Sequence, residues 1–490
     1  MFPLEGSVGG VRGAAEGYPE GEGPVRRKLA HDTIRRLEDI VGENHVLKTE
    51  DTLEKYSRDE TIGLQAWPDA AVRVRSVDEV SRVLRLAQKQ GIPVTPRGLG
   101  TSLSGGSVPV AGGIVLSLER MDQLLEIDQD NLMAVTEPGI VTSELHRLVE
   151  EQGCFYPPDP ASKDSCSIGG NVAEGAGGPR AVRYGTTKDY VCGVEAVLPS
   201  GKIMQTGGKV VKDVTGYNLT QLLTGSEGTL AVITRIILRL IPKPRMKVDL
   251  LAPFDDLSAA AKAVSAIIQQ KIVPTAIEFM DNPAIRLAER YLKKKVAFHD
   301  AAAHLLVELD GNRKADFEHA MEVVGQTVER FGAYDLLVAK EPAAQSRLWE
   351  ARRCIFEGAN KMGVMYETMD VVAPRCCVAD VVKKAAEIAE AYRLDPLCVG
   401  HAGDGNVHVL YFKKEDMEKE EWLKLVPKAA RSLYQATLDM GGKITAEHGI
   451  GLTRKQYLPM DYSETQIELL RGVKKTFDPK GILNPGKIFD

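Results

Sequence analysis

Apolar positions change period several times along the chain, and each change marks an element. Ile34, Leu37 and Val41 share one helical face, with Asp32 placed to cap a helix over 33–41 and Gly42 to stop it. A strand is expected over 70–75. Ser76 and Glu79 then have capping-box spacing for a helix that reaches Gln90 and stops at Gly91. Residues 92–95 and 113–118 read as strands, 124–127 and 132–136 as a hairpin, and 142–152 as a helix ended by Gly153. Strands follow at 191–198 and 203–206, and the apolar run 229–241 is long enough for a central strand.

Pro242-Lys243-Pro244 breaks this texture. Beyond it, strands near 247–251, 275–280, 304–309, 335–339 and 366–372 alternate with amphipathic helices, which predicts helices on one face of a sheet. A hairpin over 398–412, a helix over 418–440, a loop at 447–451 and a terminal helix before Asn484 complete the chain.

Between these elements lie three glycine-rich stretches. The first runs Pro96-Arg97-Gly98-Leu99-Gly100-Thr101-Ser102-Leu103-Ser104-Gly105-Gly106. Its glycines let consecutive N–H groups turn inward as an anion nest, and its hydroxyls add donors, which suits a pyrophosphate. It is not a Rossmann turn. Leu103 stands where the third glycine belongs, and Gly105, Gly106 and Pro109 prevent a following helix. By itself it reads equally as a surface loop without a ligand. The second stretch, 156–185, is too long and too glycine-dense for a simple connection, so a functional loop is expected there. The third is Thr224-Gly225-Ser226-Glu227-Gly228.

Composition narrows the class. The 490 residues allow about two to four domains. A net charge of -6 argues against a general nucleic-acid surface. No apolar run is long enough to span a bilayer. Residues 1–28, rich in Gly, Glu and Pro without an apolar core, are expected to be a disordered tail and not a signal peptide. Seven cysteines without CxxC spacing point to reduced cytosolic thiols and to no iron–sulfur cluster in this chain.

A second constellation lies in LCVGHAGDGNVHVLYF, residues 397–412. With Asp404-Gly405 as a two-residue turn, His401 would face His408 on one side of a hairpin. Two imidazoles so placed can hold one metal, with Glu447 as a third ligand and open positions left over. A structural or exposed histidine pair fits the spacing equally well. His448, next to Glu447, has a side chain suited to proton abstraction near neutral pH, and also reads as a plain loop histidine.

Together, the motifs PRGLGTSLSGG, YPPDPAS, SIGGNVAEGAGGPRAVRYG, GSEGTLAVIT, GHAGDGNVH, AEHGIG and LNPGK resemble the FAD-linked 2-hydroxy-acid dehydrogenases with a PCMH-type (vanillyl-alcohol-oxidase-like) flavin domain. This group includes the catalytic flavin subunit of glycolate oxidase and bacterial D-lactate dehydrogenases. The resemblance runs from about residue 45 to the end.

It implies an α+β fold: a two-part PCMH-type FAD-binding domain over 29–245, then an α+β substrate (cap) domain over 246–490 whose last segment returns to the flavin. It implies that Pro96, Arg97, Gly98, Gly100, Thr101, Ser102, Gly105 and Gly106 hold the FAD pyrophosphate. Pro158, Asp159, Ser162, Gly169, Gly170, Asn171, Gly177, Gly178, Tyr184, Gly185, Glu227, Gly228, Ile233 and Asn484 would complete the cofactor site. His401, His408 and Glu447 would bind a divalent metal (Zn, Mn, Fe or Co), His448 would be the base, and Arg352 would grip the substrate carboxylate. Hydride would pass from the substrate Cα to flavin N5.

Two departures refine this. Thr101 stands in a region where covalent relatives carry a flavin-linking histidine, so FAD is expected to be non-covalent. Leu410, Glu367 and Thr368 replace residues that relatives use for a second carboxylate, which favours a small monocarboxylate such as D-lactate or glycolate. The alternatives are a D-2-hydroxyglutarate dehydrogenase, an alkylglycerone-phosphate-synthase-like transferase without net redox, or a non-catalytic flavin subunit. Electrons would leave to an iron–sulfur subunit, an electron-transfer flavoprotein or a quinone. The expected place is the cytoplasm, with a peripheral position at the inner membrane face as the variant.

Overall fold

A computed structural model describes residues 28–489, so the tail expected at the N-terminus lies outside the described residues apart from Lys28. The N-terminal part holds two main sheets. In the first, Ala70–Arg73, Ile114–Ser117 and Val94–Arg97 lie parallel, with Val46–Leu47 antiparallel on the edge. Parallel strands need a crossover, and the helix Val77–Gln90 supplies it between the first and last of the three. The Val94–Arg97 strand therefore ends by releasing the first glycine stretch. The second sheet is antiparallel, in the order Leu124–Asp128, Met133–Thr136, Val232–Arg239, Val191–Val197, Ile203–Gly207. The run expected to be central is its middle strand.

Local chemistry explains where boundaries differ from expectation. The first helix is His31–Val41, with Ala30 at the cap position and no side-chain cap. Asp32 lies inside the first turn and pairs with Arg36 at 2.9 Å, a better use of its charge than the cap. Ser76 accepts the Glu79 N–H at 3.3 Å, but the Glu79 carboxylate reaches past Ser76 to the Arg75 N–H at 2.7 Å. The second glycine stretch is not one irregular loop. It folds into two short helices, Ile168–Glu174 and Ala181–Tyr184, the first capped by Ser167 accepting from the Gly170 N–H.

The C-terminal part is one seven-stranded antiparallel sheet, in the order Leu337–Ala339, Met246–Phe254, Ala303–Gly311, Ala276–Asp281, Leu394–His401, Asn406–Lys413, Tyr366–Val372. Its larger core packs against the helices Leu257–Gln269, Lys314–Arg330, Val378–Tyr392 and Lys419–Asp439. Helices on one face only were expected. Leu397, Val399, Leu410 and Phe412 make the opposite face apolar too, and it packs against Asn282–Leu292, Pro342–Arg353 and Ile355–Lys361. On that second face Glu278, Asp370, His401 and His408 interrupt the apolar pattern, and all four are buried.

The chain end returns to the first sheet. The Val94 N–H donates to the Ile482 carbonyl at 2.8 Å and the Asn484 N–H to the Val94 carbonyl at 2.7 Å. No helix among the described residues is long and apolar enough to cross a membrane. All seven cysteines are free thiols.

Candidate active site

A cavity of about 440 Å³ runs between the two parts of the molecule. One wall is the first glycine stretch: Pro96, Arg97, Gly98, Gly100, Thr101, Ser102 and Gly106 all line it. The backbone N–H groups of residues 99–103 have no intramolecular acceptor among the described residues, so they form a donor cradle suited to an anion. The Arg97 guanidinium does not join it. That group turns back to the Arg58 carbonyl at 2.8 Å, the Lys55 carbonyl at 3.0 Å and Ser107 at 3.1 Å. Gly100, at φ +80°, lies so close that a Cβ there would sit 1.9 Å from Arg97 Nη2.

Ser162, Gly169, Gly170, Asn171, Gly177, Glu227, Gly228 and Ile233 line the cavity as well. Seven of the expected cofactor residues lie one layer back. Gly105 packs on Leu64. The Pro158 carbonyl accepts from His146 Nε2 at 2.9 Å. Asp159 is a buried acid paired with Arg180 at 3.3 Å, and Gly178 presses against its carbonyl. The Tyr184 hydroxyl donates to Asp310 at 2.8 Å, across to the C-terminal sheet, and Gly185 packs on the Asp189 carboxylate. Asn484 Nδ2 donates to the carbonyls of Gly106 at 2.9 Å and Glu227 at 2.8 Å, joining two cavity loops from behind. These residues brace the wall.

At the other end of the cavity the sheet supplies Arg352's neighbours and the histidines. The hairpin register differs from the expected one. His401 lies opposite Asn406, and His408 opposite Val399. Asp404-Gly405 is the second half of a four-residue connection, because the Gly403 N–H donates to the Ile277 carbonyl of the next strand at 3.1 Å. A shift of two positions keeps side chains on the same face. The imidazoles therefore still meet, as diagonal neighbours with ring centroids 5.2 Å apart at 89°.

Each histidine has a carboxylate as its cross-strand partner. Glu278 lies opposite His401, and Asp370 opposite His408. His401 Nδ1 is 2.7 Å from Glu278 Oε1, and His408 Nδ1 is 3.4 Å from Asp370 Oδ1. This leaves both Nε2 atoms aimed at one point. They lie 3.2 Å and 3.4 Å from Glu447 Oε1, and His448 Nε2 lies 4.0 Å from the same oxygen. The His448 ring stacks on His408 at 5.2 Å and 10°, and Phe356 covers both edge-on.

Two donor sets are available here. Asp370, His408, Glu447 and His448 offer ligand atoms within 4.8 Å of one another. However, Asp370 Oδ2 already accepts the N–H groups of Ala446, Glu447 and His448 and the Thr445 hydroxyl, each at 2.9 Å. Its other oxygen takes Asn406 Nδ2 at 2.8 Å. A carboxylate so saturated is a scaffold for the 445–448 loop. The Nε2 atoms of His401 and His408 face Glu447 Oε1, and this set would hold a divalent cation once the His401 ring gives up its proton, with Glu278 and Asp370 orienting the rings from behind.

The electrostatics follow from burial against charge. Burial pulls the His401 imidazole down, but Glu278 and Glu447 together outweigh it and hold it well above its usual range. Burial raises the Glu447 carboxyl, yet His401 and His408 bring it to about 2. His448 differs: burial dominates and lowers it to about 4, so its ring is neutral at neutral pH. Arg352 Nε lies 2.9 Å from Glu278 Oε2, so one carboxylate holds a histidine and an arginine.

Glu278, the bracing role of Asp370, and Phe356 escaped the sequence reading. Each acts through a cross-strand or cross-helix neighbour that only the sheet order reveals. The single available signal was a glutamate standing in an otherwise apolar strand, 276–280.

Two family models match the chain: "FAD binding domain" over residues 68–207 and "FAD linked oxidases, C-terminal domain" over 243–488. Glycolate oxidase subunit GlcD of Bacillus subtilis is 41% identical over 434 residues, 89% of this chain and 92% of that protein. D-lactate dehydrogenase of Anaerostipes hadrus is 36% identical, covering 94% of this chain and 98% of that one. D-2-hydroxyglutarate dehydrogenase of Stutzerimonas stutzeri is 31% identical, with 93% and 98% covered. Among solved structures, p-cresol methylhydroxylase superposes with a TM-score of 0.75 at 18% identity, over 94% of this chain and 96% of that one, a likeness of fold alone. With a flavin-binding half, an oxidase half and relatives at this identity over most of its length, the chain belongs to the FAD-linked oxidases, an oxidoreductase on a PCMH-type flavin fold.

Proposed function

We propose that the protein oxidises a small D-2-hydroxy monocarboxylate, D-lactate or glycolate, to the 2-oxo acid. The observation that carries this is the convergence of His401, His408 and Glu447 beside a neutral His448, in the same cavity as the N–H cradle of residues 99–103. The cradle and its glycines fit a pyrophosphate, and the donor set fits Zn, Mn, Fe or Co. When bound, FAD supplies a two-electron acceptor and the metal a Lewis acid that eases loss of the hydroxyl proton.

The chain's own residues do the rest. Arg352 takes the substrate carboxylate, to which a guanidinium can present two parallel donors. His448 Nε2 accepts the hydroxyl proton. The Phe356 ring lies edge-on to the His448 ring, centroids 6.3 Å apart. With Thr101 and no histidine in the first loop, FAD is held without a covalent link. The cap side of the cavity carries Glu367 and Thr368 in its wall, an acid and a neutral side chain where a second substrate carboxylate would need a cation. Electrons taken up by a bound FAD would leave to a separate acceptor, an iron–sulfur subunit, an electron-transfer flavoprotein or a quinone.

Metal analysis tests the site. Protein purified without chelators is expected to carry about one divalent ion per chain, lost in His408→Ala. Equal metal content in wild type and His408→Ala would remove the histidines as ligands.

A further inference from the structure

The loop that presents Glu447 and His448 is held from two sides. Asp370, on the C-terminal sheet, takes its first amides. The second hold comes from the flavin-binding part, 224 residues earlier in the chain: Glu227 Oε1 accepts the Ile450 N–H at 2.8 Å and Oε2 accepts the Gly451 N–H at 2.7 Å. Both oxygens of Glu227 are thus turned to this loop. Its backbone is fixed as well, with φ at +51° and its carbonyl accepting from Asn484.

Between the two carboxylates the chain passes through Gly449, at φ +71°. A Cβ at Gly449 would lie 1.8 Å from Glu174 Oε1 and 2.9 Å from Glu227 Oε1, and one at Gly451 would lie 2.2 Å from the Ser104 carbonyl. No side chain fits in that passage. The loop therefore touches the cofactor wall directly, through two amide hydrogen bonds to one buried side chain.

We infer that Glu227 is a positioning residue: its carboxylate fixes the loop that carries Glu447 and His448, and so ties ligand and base to the wall of the cofactor cradle. The inference rests on the reading of those two residues given above. Glu227 lines the cavity wall and acts on the chemistry through the loop it holds. Gln at this position keeps one acceptor oxygen, and Ala keeps none.

Hydrogen exchange of the FAD-loaded full chain tests it, read over residues 446–452. Glu227→Ala is expected to speed exchange of the Ile450 and Gly451 amides about tenfold or more, with Glu227→Gln between it and wild type. Cobalt(II), the probe metal, is expected to bind Glu227→Ala about tenfold more weakly. Flavin reduction at saturating D-lactate or glycolate should slow. Unchanged exchange at both amides overturns the inference. So does faster exchange with cobalt affinity and reduction rate intact. If Glu227→Ala does not fold, Glu227→Gln is read by the same measures. If wild type takes up no cobalt and no hydroxy acid reduces it, the proposed function fails, and amide exchange still decides whether Glu227 holds the loop.

Discussion

Glu278 Oε1 lies 2.7 Å from His401 Nδ1, and its other oxygen lies 2.9 Å from Arg352 Nε. One buried carboxylate thus orients the His401 imidazole and the Arg352 guanidinium together. It also fixes which nitrogen of His401 faces Glu447. Replacing Glu278 with Ala is expected to weaken metal binding by about 10–100-fold, the usual cost of losing a partner behind a ligand. It should also raise the substrate KM, because Arg352 loses its anchor. Metal titration and steady-state kinetics on one variant check both effects.

His448→Ala removes the proposed proton acceptor without touching the cradle. FAD should stay bound, and flavin reduction should slow by about 10²–10⁴-fold. Stopped-flow reduction under anaerobic conditions measures this, and an unchanged rate would dismiss His448 as the base.

Arg352→Lys retains the charge but not the two-pronged geometry. The expected outcome is a KM raised about tenfold or more for D-lactate or glycolate, with FAD content unchanged. Equal KM values would place the substrate carboxylate elsewhere.

His146 makes stability depend on pH. Burial lowers this imidazole to about 3, so the folded protein keeps it neutral while the unfolded chain protonates it near 6.5. The unfolded state then binds more protons below pH 6.5, and stability falls as pH drops towards 3. Between pH 6.5 and 4.5 this one group costs about 2 kcal/mol. His146→Gln can still donate to the Pro158 carbonyl and cannot titrate. Its urea midpoint should therefore drop less than that of wild type over the same interval.

Much of this molecule was legible in its sequence because the signals were local. The glycines that crowd the cradle, Gly100 against Arg97 and Gly449 between two glutamates, announce themselves as glycines. The strands that carry the histidines follow apolar period. The hairpin register was missed because Gly403 bonds sideways to Ile277, a contact between strands far apart in the chain. The histidine pairing survived that error, since a two-residue slip preserves the face. Glu278 and Asp370 stayed hidden for the same reason that makes them effective: each is a cross-strand partner, and sheet order is not written in any one segment. Asp159 and Tyr184 lie in motifs that touch the cofactor site from behind, and a motif does not say which of its residues face the cavity.

A flavin bound in this cavity would take a hydride from a small 2-hydroxy acid. The most direct measurement is anaerobic titration of the FAD- and metal-loaded protein with D-lactate, glycolate and D-2-hydroxyglutarate, following the visible flavin absorbance. The account predicts that D-lactate or glycolate bleaches the band and that D-2-hydroxyglutarate does so far less well. A flavin left oxidised by all three would contradict it.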